Sequence, residues 1–185
     1  VFNNVDVVTA ATFYPGPNIG GDILINGSDP DYASPVRGNW AYLTILHEVG
    51  HALGLSHPGA YNGGYPTYFG SAEFQQDSLQ YTVMSYFEAS NTGADHEIGG
   101  VVRYADTLLL YDILAIQSIY GQNLSVRTGG STYGFHSTSG IAAYDFTKNL
   151  DPIICIWDAG GTDTLDFSGF TAATRMDLRP GSFSD

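Results

Sequence analysis

"HEVGHALGLSHPG", residues 47–59, sets three histidines and one glutamate among small and apolar residues. The apolar letters around it decide the local fold. Tyr42, Leu46, Val49 and Leu53 recur at i, i+4, i+7 and i+11, with Ile45 and Ala52 widening the stripe, so the spacing predicts an amphipathic helix. Ser34 before Pro35 reads as its start and Gly54 as its stop. On that helix His47 and His51 project from one face, about 6 Å apart along the axis. Glu48 stands beside the first of them, able to reach a water bound to an ion held there. Gly54 lets the chain turn sharply, so that His57 swings back as a third nitrogen donor.

The five fixed residues of H-E-x-x-H-x-x-G-x-x-H co-occur by chance in roughly one chain in 10^5 of this length. A functional reading therefore outweighs one of scattered histidines. Three neutral imidazoles with an open fourth position are the coordination of catalytic zinc, whereas structural zinc is closed by four protein ligands that typically include cysteines. The single cysteine, Cys155 in "PIICIWD", cannot supply such a set or an internal disulfide, and it reads as a buried strand residue. His96 and His136 fit no ligand position.

The rest of the chain bounds what surrounds this motif. It has 185 residues, 43% of them hydrophobic and 14% aromatic, enough to bury a real core. Acids outnumber bases 19 to 6, for a formal charge of -13, which argues against nucleic acid as a partner because a phosphate backbone needs a basic stripe. The 23 glycines and 13 tyrosines favour a turn-rich, β-rich extracellular protein. No apolar run approaches the ~20 residues of a membrane span. The chain opens in mid-pattern with "VFNNVDVVTAATFYP" and ends on "GSFSD" without a closing element, so it reads as a fragment.

Residues 1 to 33 carry the β-prone runs "VDVVTAATFY" and "GDILIN", separated by "PGPNIGG". Residues 56 to 105 show little periodicity and read as a long irregular segment; loops of such length are usually functional or held by something. A second helix is predicted from Asp106, as N-cap, to Tyr120, closed by Gly121. Beyond it "STYGF", "IICIW", "DTLDF" and "TRMDL" are short strand candidates broken by glycine-rich turns. This divides the chain into residues 1–122 and an all-β region, 123–185.

"HEVGHALGLSHPG" together with "TVMSYF" resembles the metzincin clan of zinc endopeptidases and, within it, the serralysin family of secreted bacterial proteases. His57 is followed by Pro58 and Gly59, as in serralysins. "NTGADHEIGG" and "DILAIQSIYG" look like that family's downstream segments, and "RTGGSTYGF" with "WDAGGTDTLDFSGF" looks like the start of its calcium-binding C-terminal domain. The likeness covers essentially the whole chain.

What the resemblance implies is an α+β chain: part of a metzincin catalytic domain, a mixed sheet edge with two helices, leading into an all-β calcium-binding parallel β-roll. It implies zinc on His47, His51 and His57, with Glu48 as general base toward the attacking water. Met84 would form the Met-turn beneath the histidines, and Tyr86 would approach the zinc as a ligand and move off to hydrogen-bond the reacting carbonyl. "GGDILIN", residues 20–26, resembles the family's edge strand above the cleft, so main-chain groups of Gly21, Asp22, Ile23 and Leu24 would bind an extended protein or peptide substrate.

One calcium site is implied on Arg127, Gly129 and Ser131 with Asp158, Gly160 and Asp163, and a second starts at Gly161. Ser131 stands where the family usually has threonine. The expectation is thus a secreted, extracellular, monomeric zinc endopeptidase with Zn2+ and Ca2+ as cofactors. The competing expectation is a calcium-stabilised binding or adhesion module whose metzincin site is inactive.

Overall fold

The computed structural model describes residues 2–5, by their backbone pairing, and residues 9–185. The chain forms two units, Val1–Gln122 with Asp151–Ile156, and Asn123–Leu150 with Trp157–Asp185. The sequence-based division at 122/123 is thereby amended, because one later segment returns to the first unit. Ile153 packs against that unit's core, and hydrogen bonds tie the segment down: Asp106 N–H donates to Ile153 O (2.9 Å) and Cys155 N–H to Thr107 Oγ1 (2.9 Å). The expected strand "IICIW" is not formed among the described residues, and Cys155 is half-buried outside any strand.

In the first unit β1 (Phe2–Val5), β2 (Ala10–Thr12) and β3 (Ile23–Asn26) make a sheet in the order β1-β3-β2. The expected run "VDVVTAATFY" is represented by β2, while its residues 6–8 lie outside the described residues. β3 pairs parallel with β1 and antiparallel with β2. The assignment of Gly21, Asp22, Ile23 and Leu24 to an open edge is therefore corrected. Ile23 and Leu24 have partners on both sides, and Gly21 N–H and Asp22 O are bonded to Phe13. The free side of the antiparallel pair belongs to β2.

After a short helix α1 (Pro30–Ala33), the motif helix α2 runs Trp40–Ala52. It starts five residues later than Pro35 would place it. Gly38 holds a positive φ of 75°, and Asn39 is the cap, its side chain accepting from Tyr42 N–H at 2.9 Å. The end matches expectation: Gly54 takes φ 94°, and Leu55 N–H turns back to Gly50 O (3.0 Å). The buried cluster of Leu43, Leu55, Leu79, Val83, Met84 and Leu109 lies under this helix.

Residues 56–105 are mostly irregular, with a one-turn helix α3 (Tyr68–Ser71), a 3-10 turn at Ala89–Thr92, and a hairpin of β4 (Glu97–Ile98) and β5 (Val101–Val102). The last long helix, α4, is Leu110–Tyr120. Asp106 is not its cap. Asp112, in the first turn, reaches back to accept from Leu109 N–H at 2.8 Å, so Leu109 is the cap and the chain enters the helix about three residues later than expected.

The second unit is built on β6 (Thr132–Gly134) and β7 (Thr164–Asp166), paired in parallel, with Tyr133 and Tyr144 buried beside them. Phe135, Phe146, Phe167 and Phe170 stack edge-on or tilted against one another, giving this small unit its apolar centre. Gly134 is required there: a Cβ on it would lie 2.1 Å from Asp166 O. "TRMDL" forms no strand. The whole is a mixed α+β chain with few helices.

Candidate active site and metal centre

α2 delivers His47 and His51 one turn apart, and the Gly54 turn returns His57 to them. Their Nε2 atoms converge: His57 Nε2 lies 3.0 Å from His47 Nε2 and 3.0 Å from His51 Nε2. Each ring's other nitrogen meets a backbone carbonyl, His47 Nδ1 at Val83 O (2.7 Å), His51 Nδ1 at Leu55 O (2.7 Å) and His57 Nδ1 at Tyr61 O (2.8 Å). A carbonyl only accepts, so each Nδ1 carries the proton and donates it. Three Nε2 lone pairs then face one another with no proton among them. Such a set suits a cation, and its all-nitrogen chemistry suits zinc.

Burial reinforces the neutral form. It lowers His47 to a pKa of about 3, with His51 and His57 adding to the effect, and it also lowers His57. Among the described residues this is the one group of three or more acidic, cysteine or histidine side chains close enough to hold an ion. His96 and His136 are not part of it; His136 instead meets Asp166 Oδ2 at 2.8 Å.

Glu48, 7% exposed, lines the same cleft of about 440 Å³ with Trp40, Thr44, Tyr65 and Tyr86. Burial pushes its carboxyl up, while the hydroxyl of Thr12, 2.6 Å from Glu48 Oε2, works the other way. A carboxylate so placed can act as a proton acceptor toward a water in the cleft.

Met84 lies in the turn under α2, 2% exposed, and a Cβ on Gly50 would come within 2.4 Å of its sulfur. Only a glycine one residue before His51 admits so close a thioether. The ring of Tyr86 stands 4.6 Å from that of His57 and 5.7 Å from that of His47, between centroids. Its hydroxyl accepts from Gly63 N–H at 3.4 Å. Burial raises its pKa, keeping it a neutral donor.

Three supporting residues escaped the sequence reading. Asp112, fully buried, accepts from Thr82 Oγ1 (2.5 Å) and Val83 N–H (2.9 Å), and so fixes the turn whose carbonyl orients His47. A lone acid within "LLLYDILAI" was the available signal. Asp77, also buried, accepts from the Tyr61 and Ser85 hydroxyls at 2.9 and 2.7 Å, anchoring the loop that holds His57. Thr12 had no signal, since nothing distinguishes it within a β-prone run.

In the second unit two glycine turns abut. Ser131 N–H donates to Asp163 Oδ1 (2.8 Å), Gly160 N–H donates to Asp158 Oδ1 (2.8 Å), and a Cβ on Gly161 would sit 2.4 Å from Gly129 O. Tyr133 hydroxyl donates to Asp158 Oδ2, holding that carboxyl below its ordinary value, and Arg127 donates to Trp157 O. The seven expected residues are thus brought into two neighbouring turns. Positive φ at Arg127, Gly160 and Gly161 shapes them.

A family model described as "Matrixin" matches residues 1–80, and one described as "Peptidase M10 serralysin C terminal" matches residues 122–185. Among curated relatives, a metallopeptidase AprA of Pseudomonas marginalis is 43% identical over 97% of this chain and 39% of its own length. A serralysin of Proteus mirabilis is 50% identical over 85% of the chain and 32% of its own length. Serralysin B of Dickeya chrysanthemi is 41% identical over 93% and 36%. The chain spans less than two fifths of the length of each of these relatives.

Proposed function

Since the chain belongs to the serralysin family of metzincin metallopeptidases, we propose that it carries the catalytic centre of a secreted zinc endopeptidase that cuts proteins held as extended strands. The observation that carries this reading is the convergence of three proton-free Nε2 atoms beside the buried Glu48 carboxylate, open to a cleft. His47, His51 and His57 would hold the zinc. When bound, the ion supplies Lewis acidity that polarises a peptide carbonyl and makes water easier to deprotonate.

The chain's own groups do the rest. Glu48 takes a proton from the attacking water as its oxygen bonds to the carbonyl carbon, and returns it to the amide nitrogen as the C–N bond breaks. Tyr86 swings from Gly63 to donate a hydrogen bond to the carbonyl oxygen as charge develops there. β2, whose outer edge is open within the sheet, takes the docking role expected of β3 and pairs with the substrate backbone.

The acidic turns of the second unit fit calcium, which takes carboxylate and carbonyl oxygens together. Asp158 and Asp163 offer the carboxylates, and the turns at Arg127, Gly129, Ser131, Gly160 and Gly161 offer carbonyls. That region would be the first part of the family's β-roll. No helix among the described residues is long and apolar enough to cross a membrane.

The deciding experiment is Glu48→Gln in the full natural protein. Zinc stays bound at one equivalent by mass spectrometry, while hydrolysis of casein falls by about two to four orders of magnitude. Near-normal turnover with zinc present removes Glu48 from the chemistry.

A further inference from the structure

The motif places Glu48 next to a metal ligand but leaves its carboxylate unaimed. A glutamate side chain has three rotatable bonds, and general-base catalysis needs one oxygen held toward the water that attacks. The hydroxyl of Thr12 supplies that restraint. It lies 2.6 Å from Glu48 Oε2 and 3.2 Å from the same residue's backbone carbonyl, 36 residues away in sequence. Glu48 Oε1 accepts no hydrogen bond from the described residues.

The position of Thr12 in the sheet adds a second reason. Phe13 N–H donates to Asp22 O (3.1 Å) and Asn26 N–H to Thr9 O (2.9 Å), so the odd-numbered residues of this run address β3. Antiparallel pairing alternates, and the main-chain groups of Ala10 and Thr12 therefore turn toward the open edge. Thr12 thus has its backbone on the edge available to a substrate strand and its side chain on the base.

We propose that Thr12 is a positioning residue for proton transfer: its hydroxyl holds Glu48 Oε2, so that Oε1 is the oxygen presented to water. This rests on the peptidase reading above. Because the substrate would pair with the Thr12 backbone and the base with its side chain, replacing the side chain separates the two functions. A shape-matched valine keeps the strand and its edge but removes the donor.

The test compares Thr12→Val and Thr12→Ser in the full natural protein on a fluorogenic peptide, with Glu48→Gln in parallel. For valine, kcat falls about tenfold to a hundredfold with KM within about twofold. Zinc content stays at one equivalent, and a crystal structure shows the Glu48 carboxylate rotated from its wild-type position. Serine restores kcat to within about threefold, since it keeps the hydroxyl. Wild-type kcat in the valine variant, equal impairment by serine and valine, or loss of zinc in step with activity each overturns the proposal. If the wild-type protein with zinc bound cleaves no peptide, the peptidase reading has failed; if Glu48→Gln keeps full turnover, Glu48 is not the base and the Thr12 proposal falls with it; if Glu48→Gln abolishes turnover while valine does not, Thr12 alone has failed.

Discussion

Asp112 allows the support beneath the histidines to be measured. Its carboxylate, 1% exposed, accepts from Thr82 Oγ1, Val83 N–H and Leu109 N–H, and Val83 in turn gives its carbonyl to His47. In Asp112→Ala the two backbone donors stay buried without an acceptor, at about 1–3 kcal/mol each, while the Thr82 hydroxyl can turn away. Part of that loss is offset. Burial pushes the Asp112 carboxyl above its ordinary value, which marks a cost of keeping it charged inside, and alanine removes the charge.

The net loss is about 3 kcal/mol, which in a protein of this size lowers Tm by roughly 6–12 °C. The same change frees Val83 and so the imidazole of His47, weakening zinc by about tenfold to a hundredfold, as loss of an outer partner typically does. Asp112→Asn separates acceptor from charge: its carbonyl can keep both backbone donors, and its amide can donate to Thr82. That variant stays within about 1 kcal/mol of wild type. Thermal unfolding followed by circular dichroism, with zinc competition against a chromophoric chelator, reads both quantities. An alanine variant that melts within about 2 °C of wild type, with zinc affinity unchanged, refutes the reasoning.

Tyr86→Phe keeps the ring against His57 but removes the donor; kcat for a peptide falls about tenfold to a thousandfold with zinc content unchanged, and an unaltered kcat counts against a role in stabilising the oxyanion. Gly134→Ala drives a Cβ into Asp166 O and strains a φ of 100°, so the β6–β7 pair opens. Hydrogen exchange would show amides of the 132–134 and 164–166 strands losing protection while α2 keeps its own.

Where the sequence repeats at a fixed period, it predicted well. The apolar stripe of Tyr42, Leu46, Val49 and Leu53 marked α2, and the i, i+4 spacing with Gly54 marked the three converging histidines, because helix geometry sets His47 and His51 on one face and the turn returns His57 to them. The helix starts were missed for a common reason. Asn39 and the Leu109–Asp112 pair cap through side-chain geometry, whereas Ser34 and Asp106 are equally good caps by residue type. The edge strand was missed because pairing order is not written in a single β-prone run: "GDILIN" and "VDVVTAATFY" have similar composition, and only β1 on the far side makes β3 internal. "IICIW" failed as a strand because Thr107 and Asp106 satisfy its backbone from a loop.

The irregular segment 56–105 carries more of the site than its lack of pattern suggests. The three imidazoles are fixed by carbonyls of Leu55, Tyr61 and Val83, and the last two belong to that segment. Each carbonyl does two things at once: it sets the plane of a ring, and by accepting from Nδ1 it leaves Nε2 without a proton. The motif helix without these loops would present histidines free to turn. The loops, lacking ladders of their own, are held by buried carboxylates, Asp77 on the Tyr61 side and Asp112 on the Val83 side. The order of support therefore runs from two carboxylates, through two carbonyls, to two ring tautomers. A polar ligand set can stand in a largely apolar setting because all its hydrogen-bonding capacity but three converging lone pairs has already been met.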